Sequence, residues 1–226
     1  MPDNQNREPI VIPKPTLDRL KLYHRLLNEV EQKHISSEEI AQRIGTTAEQ
    51  VRKDLTFLKT MGKPKVGYDV ETLRQELEEL FGVKKTTKVI LVGAGRLGSA
   101  LVNYPGFENY GIEIVAVFDK DPKKIGSFIG ELSVLPMKDI GRVVKRFNVE
   151  IGIICVPKES AQEVAEILVS KGIKGIWNFA PTRLVVPDDV FVVDEDMTQS
   201  LLTLKHFLEI KKKRIQESHQ NRAEKL

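Results

Sequence analysis

Lys88-Val89-Ile90-Leu91-Val92-Gly93-Ala94-Gly95-Arg96-Leu97-Gly98-Ser99-Ala100-Leu101 is the stretch that decides the fold. A short apolar run leads into Gly-x-Gly-x-x-Gly, and a helical pattern follows. A dinucleotide-binding turn needs that order. Gly93 permits the tight turn out of the strand, Gly95 lets backbone approach a pyrophosphate, and Gly98 lets the helix pack close to the sheet. The phosphates would rest on free N–H groups at the helix start. Ala94, Arg96 and Leu97 share the turn and join the three glycines as candidate cofactor-binding residues.

Downstream, strands and helices alternate. Strands are expected at 89–92, 112–118, 151–156 and 175–179, with a last short one at 191–193. Helices are expected at 96–102, 137–147 and 161–171. Such alternation argues for a doubly wound parallel sheet. Asp119 closes the second strand, somewhat beyond the usual ~20 residues after the glycines. An insertion at 103–110 accounts for the difference. A carboxylate there accepts hydrogen bonds from a ribose 2′-hydroxyl and repels a 2′-phosphate, which favours NAD over NADP; Lys120 works slightly against that preference. The competing role for Asp119 is to cap the turn Asp121-Pro122-Lys123. Three further segments fall at carboxyl ends of strands: Tyr104-Pro105-Gly106-Phe107, Val156-Pro157-Lys158-Glu159 and Asn178-Phe179-Ala180-Pro181. From these, Tyr104, Pro157 and Phe179 are candidate cofactor contacts; plain strand-to-helix turns are the competing reading.

Upstream, helical spacing begins near Lys14-Pro15-Thr16 and carries Leu20, Tyr23, Leu27 and Val30. Ser36-Ser37-Glu38-Glu39 and Thr46-Thr47-Ala48-Glu49 read as two capping boxes, separated by a terminating Gly45. Two short capped helices after a longer one make a helix-turn-helix. Val51, Leu55 and Leu58 would face inward. Gln50, Arg52, Lys53 and Thr56 are then left for the major groove, where Arg and Lys read guanine and Gln reads adenine. Residues 61–69 hold Gly, Pro and the lysines Lys63 and Lys65, which suits a hairpin wing against phosphate or minor groove. Residues 14–65 carry eleven basic and seven acidic side chains. A solvated helix face in a protein-interaction domain is the competing reading. Val70, Leu73, Leu77, Leu80 and Phe81 mark a further helix, closed by Gly82. The expected layout is an arm (1–13), a winged-helix domain (14–82), a linker (83–88), a Rossmann domain (89–197) and a C-terminal dimerisation helix with its tail (198–226).

The net charge of +3 says little about partners. No apolar run approaches the ~18 residues of a membrane span. The polar start Met1–Glu8 lacks a signal-peptide core, so a cytoplasmic location is expected. Cys155 alone cannot close an internal disulfide or build a cysteine zinc site; a buried inert thiol is expected, and no metal. The four histidines are His24, His34, His206 and His219, and none lies between residues 86 and 200. A dehydrogenase usually needs an acid or base near the nicotinamide and a second domain for substrate. An enzyme is therefore not expected.

The chain resembles the Rex family of redox-sensing transcriptional repressors. The segments that carry the resemblance are Ile12–Thr16, Gln50–Leu55, Val66–Val70, Val92–Gly98 and Asn178–Pro181. The resemblance implies a winged helix, a Rossmann domain, and a homodimer whose C-terminal helix is exchanged between subunits. It implies binding to palindromic operator DNA when NAD⁺ dominates and release when NADH rises, with the nucleotide as effector. Arg52 and Lys53 would contact DNA. Tyr104 would lie beside the nicotinamide. Asp196, in the triplet Asp194-Glu195-Asp196, would be the acid at the root of the swapped helix, and Arg25 would pair with it in the DNA-binding state. Pro64-Lys65 stands where Arg-Gly is common in the family. Two other readings stay open: an NAD-dependent oxidoreductase with a fused regulatory domain, and a DNA-binding protein whose Rossmann domain holds another nucleotide, such as a coenzyme A derivative.

Overall fold

The computed structural model describes residues 11–223, with side chains as far as Arg214. Most of the expected arm, the last three residues and the side chain of Ile215 lie outside the described residues. The chain forms two compact units. The first runs to Thr86 and takes in Asn109–Gly111; the second comprises Thr87–Glu108 and the residues from Ile112 on.

The first unit opens with α1 (Lys14–Leu27), whose first turn carries Pro15 where a missing N–H costs nothing. Strand β1 (His34–Ile35) leads into α2 (Ser37–Ile44). The capping box forms as expected: Ser36 Oγ accepts from Glu39 N at 3.1 Å, and Ser36 N donates back to Glu39 Oε2 at 2.9 Å. Gly45, at φ 76°, ends the helix in the left-handed region. Helix α3 (Ala48–Leu55) is capped by Thr47 rather than Thr46, one residue later than the expected box. It stops at Leu55, and Leu58 packs from the turn beyond. Strand β2 (Tyr68–Asp69) pairs antiparallel with β1, and α4 (Val70–Phe81) follows, ended by Gly82. Leu20, Tyr23, Leu27, Ile40, Val51, Leu73 and Leu77 form the core. The two-residue strands were beyond reach of any periodicity.

The second unit begins with β3 (Thr87–Val92), so the last two residues of the expected linker are already strand. Then come α5 (Arg96–Val102), a 3-10 turn at Pro105–Tyr110, β4 (Ile112–Asp119), β5 (Phe128–Ile129), β6 (Leu132–Pro136), α6 (Ile140–Phe147), β7 (Ile151–Ile154), α7 (Lys158–Ser170), β8 (Gly175–Asn178), β9 (Phe191–Asp194) and α8 (Gln199–Ala223). The strand order is β5-β6-β4-β3-β7-β8-β9. Every pairing is parallel except β5 with β6. This is the doubly wound sheet, extended by an antiparallel edge that the sequence reading did not include. Helix α7 starts three residues earlier than expected, because Pro157 sets up its first turn.

His24 on α1 is buried at 4% exposure, and among the described residues its Nε2 has no hydrogen-bond partner. Its ring lies edge-on to Phe81, 6.3 Å between centroids. Burial holds its pKa below the ordinary 6.5. The unfolded chain therefore binds the proton more readily, and stability falls as pH drops below ~6.5, by at most ~1.4 kcal/mol per pH unit for one proton. Denaturant midpoints between about pH 7 and pH 5 should decline less steeply in His24→Phe than in wild type. Equal slopes would contradict a neutral buried His24.

Candidate functional site

A cleft of about 770 Å³ opens at the carboxyl ends of β3, β4 and β7. The strand order reverses there, β4 lying on one side of β3 and β7 on the other, which is where open α/β sheets bind ligands. Gly93, Gly95, Arg96, Leu97, Asp119 and Pro157 line it together with Lys120, Lys124 and Ser160. The three glycines differ sharply in role. Gly93 sits at φ 111°, and a Cβ on it would stand 2.4 Å from the Cys155 carbonyl oxygen. A Cβ on Gly98 would stand 2.0 Å from the Gly93 carbonyl oxygen. Nothing lies within 4 Å of a Cβ placed on Gly95, whose φ of −91° any residue adopts. Two glycines thus serve packing, and the third faces open cleft. The first-turn N–H groups of α5 have no acceptor within their own helix.

Asp119 is buried at the cleft wall and already engaged. Its Oδ2 accepts from Ala94 N at 2.8 Å and from Lys124 Nζ at 2.9 Å; its Oδ1 accepts from Asp121 N at 2.9 Å. Burial pushes this carboxyl up, but the bonds from Asp121, Lys124 and Ala94 outweigh it and hold the pKa below the ordinary range. The turn-capping role weighed for Asp119 is therefore present. The Ala94 N–H, spent on Asp119, is not among the free donors. Lys120 reaches across to Ser160 Oγ at 2.9 Å. Cys155 lies in the cleft floor, where burial pushes its thiol up to about 12.

Tyr104 and Phe179 do not line this cleft, and the segment 104–107 follows helix α5 and leads into β4, so it does not stand at the expected carboxyl end of a strand. They end an aromatic row in which Tyr104 meets Phe107 at 5.1 Å, Phe107 meets Trp177 at 6.0 Å, and Trp177 meets Phe179 at 4.5 Å between centroids. Gly106 admits the Tyr104 ring, since a Cβ there would stand 2.4 Å from its Cε1. Phe107 and Trp177 were not singled out from the sequence; their spacing carries no motif. Asn178, fully buried, donates to Thr182 O and Asp194 Oδ1, both at 2.8 Å, and so joins β8 to β9. Asp194 is thereby committed to the sheet. Asp196 is exposed, and its Oδ1 accepts from Thr198 N and Oγ1 at the start of α8. Along α8, Leu201, Leu202, Leu204, Phe207 and Leu208 are all more than half exposed.

In the first unit, Arg52, Lys53 and Thr56 are exposed. Arg52 Nη1 donates to Ser37 Oγ at 2.9 Å and to Glu38 Oε1 at 3.1 Å. Thr56 Oγ1 turns back on Lys53 O at 2.7 Å. Gln50 departs from the expected free side chain: it is half-buried, and its Nε2 donates to Asp54 Oδ1 at 2.9 Å. Asp54 is fully buried and also receives Thr16, Arg19 and Tyr23. The sequence signal for it was an acid at the i+4 position from Gln50 on the inward face. Lys63 and Lys65 are exposed on a turn closed by Val66 N to Lys63 O at 3.1 Å. Lys65 sits at φ 64° after Pro64, a conformation that glycine adopts without penalty. Arg25 is exposed, with Glu29 3.9 Å away.

Together these features define a winged helix followed by a Rossmann-type nucleotide cleft. Residues 11–56 match the family model described as "Putative DNA-binding protein N-terminus", and residues 84–182 match the one described as "CoA binding domain". The redox-sensing transcriptional repressor Rex 2 of Thermotoga maritima is 48% identical over 89% of this chain and 98% of its own length. The repressor Rex of Carboxydothermus hydrogenoformans is 48% identical over 85% and 94%. A crystal structure of RSP with beta-NAD⁺ and operator DNA superposes with a TM-score of 0.83 at 36% identity, covering 93% of this chain and 98% of that one. RSP with beta-NADH gives 0.83 at 37%, covering 92% and 99%. The chain belongs to the Rex family of redox-sensing transcriptional repressors. Its curated relatives are named as repressors, which sets aside the oxidoreductase reading.

The glycine geometry predicts opposite outcomes for two like substitutions. Gly98→Ala should lose ~1–3 kcal/mol through overpacking against the Gly93 carbonyl. Gly95→Ala should melt within about 1 °C of wild type, because its methyl enters open space. Equal destabilisation of both, measured by thermal melting, would contradict the assignment.

Proposed function

We propose that this protein represses transcription from palindromic operators as a homodimer and leaves them when NADH occupies the β3–β4–β7 cleft. The open position at Gly95 carries the reading: the turn keeps a place where backbone alone can meet a pyrophosphate. The complexes of RSP with beta-NAD⁺, beta-NADH and operator DNA favour a nicotinamide dinucleotide over a coenzyme A derivative. Gly93, Gly95, Arg96, Leu97, Asp119 and Pro157 form the adenosine and phosphate part of the site. Gly98 and Ala94 shape the turn from behind. Tyr104 and Phe179, at the ends of the aromatic row, serve the nicotinamide side.

Helix α3 enters the major groove with Arg52, Lys53 and Thr56, beside Gln50, and the wing lysines Lys63 and Lys65 meet phosphate. The exposed apolar face of α8 supports a dimer held by exchange of this helix, since patches of that kind mark interfaces. A two-fold pair sets its recognition helices about 34–36 Å apart, one turn of DNA. Asp196 is the switch acid: its bonds from Thr198 are local to the start of α8, whereas Asp194 is tied across to β8 through Asn178, and Arg25 is its partner in the DNA-binding state. The protein works in the cytoplasm, where the operators are. Among the described residues no helix is long and apolar enough to cross a membrane.

Gly95→Ala should bind operator as wild type does, bind NADH at least ~10-fold more weakly, and resist release by NADH; normal NADH affinity would place the site elsewhere. Arg52→Ala with Lys53→Ala should lose ~1–3 kcal/mol of operator affinity for a lost base contact, and about one unit of salt slope for a lost phosphate contact. Unchanged affinity in anisotropy titrations would reject α3 as the reader. Truncation after Asp196 should abolish the dimer in sedimentation; a stable soluble dimer would reject α8 as the interface.

A further inference from the structure

We infer that Asp54 is a positioning residue for operator reading, locking the rotation of α3 to α1 so that the two helices move as one body. This rests on the reading of α3 as the DNA reader. Asp54 follows Arg52 and Lys53 directly and is fully buried. Its carboxylate receives Arg19 Nε at 2.6 Å and Arg19 Nη2 at 2.7 Å, Tyr23 Oη at 2.7 Å, Thr16 Oγ1 at 3.2 Å and Gln50 Nε2 at 2.9 Å. Thr16, Arg19 and Tyr23 lie along one face of α1. Both oxygens are therefore filled, one side by the rigid fork of an arginine.

The other buried contacts of α3 are apolar, through Val51 and Leu55, and its further polar contact, from Arg52 to Ser37 and Glu38 of α2, is made by an exposed side chain that must be free to meet DNA. Apolar burial is non-directional and tolerates small rotations of a two-turn helix. Hydrogen bonds to a carboxylate are directional and weaken steeply off-axis. A helix residue turns ~100° per position, so a modest rotation about the axis carries Arg52 and Lys53 off the base edges. Buried ion pairs add little net stability compared with apolar packing; their best-attested service is to fix one arrangement among several. Burial opposes ionisation of Asp54, but the bonds from Arg19, Tyr23 and Gln50 outweigh it, so the carboxyl stays below the ordinary range. The network is thus a permanent fastening. Arg25 projects from the same α1, two residues beyond Tyr23, so a displacement of α1 at Arg25 reaches Arg52 without being lost in the core.

The test uses the full chain and two duplexes: the palindrome that wild type enriches from a random pool, and a scrambled duplex of equal composition. Asp54→Asn should weaken palindrome binding at least ~10-fold while scrambled-duplex and NADH affinities stay within ~2-fold, because phosphate contacts and the cleft are untouched. Tyr23→Phe removes a single bond and should lower the palindrome-to-scrambled ratio in the same direction by ~3-fold. If Asp54→Asn loses all three affinities together it has unfolded, and Tyr23→Phe decides. An unchanged ratio in Tyr23→Phe, or in a folded Asp54→Asn, overturns the inference. A wild type that enriches no palindrome overturns the repressor reading instead.

Discussion

The structure of the second unit turns on the absence of a side chain at residue 98. Helix α5 lies so close to β3 that a Cβ at Gly98 would sit 2.0 Å from the Gly93 carbonyl oxygen. That closeness folds the turn back until Gly93, at φ 111°, brings its backbone against Cys155 at the end of β7. Asp119 clamps the same turn from the β4 side through Ala94 N. Three strands are thereby gathered around one loop, and the side of the loop they leave open carries Gly95. The cleft is what remains when the turn has been fixed on both sides.

The difference between the oxidised and reduced ligand is small: the reduced nicotinamide lacks the ring's positive charge. A ligand shifts an equilibrium by no more than its differential affinity for the two states. In an assembly of two subunits, two bound ligands bias one equilibrium, so their differential affinities multiply. The features that suit such an assembly are the exposed apolar face of α8, the exposed Asp196 at its root and the exposed Arg25 on α1. The first unit contributes stiffness, with α1 and α3 fastened through Asp54 around a shared apolar core.

Periodicity and glycine spacing were enough for the doubly wound sheet, the capped helices and the cleft-lining part of the site. Elements of two residues escaped: β1, β2 and β5 span a single strand period, too little to show an alternation. The hairpin joining β5 and β6 hides in Ile129-Gly130-Glu131-Leu132, where Gly130 at φ 57° is the sole cue. The engagement of Asp119 by Ala94 was not legible, because the fingerprint that links the glycine turn to Asp119 assigns the carboxylate to a ribose and says nothing of a backbone N–H 25 positions upstream. Asp54 was legible only as an acid on the inward face four residues after Gln50; that four side chains from two helices give it five hydrogen bonds was not. At the wing tip, Lys65 follows Pro64 in a left-handed conformation that glycine would take without penalty, so the turn is held despite its Cβ.

The most direct measurement is a titration of the preformed complex between wild-type protein and its palindromic operator with NADH and, in parallel, with NAD⁺, followed by anisotropy. NADH should dissociate the complex at concentrations where NAD⁺ leaves it intact. Equal effects of the two nucleotides, or release by coenzyme A and by neither of them, would contradict a repressor governed by the redox state of its bound dinucleotide.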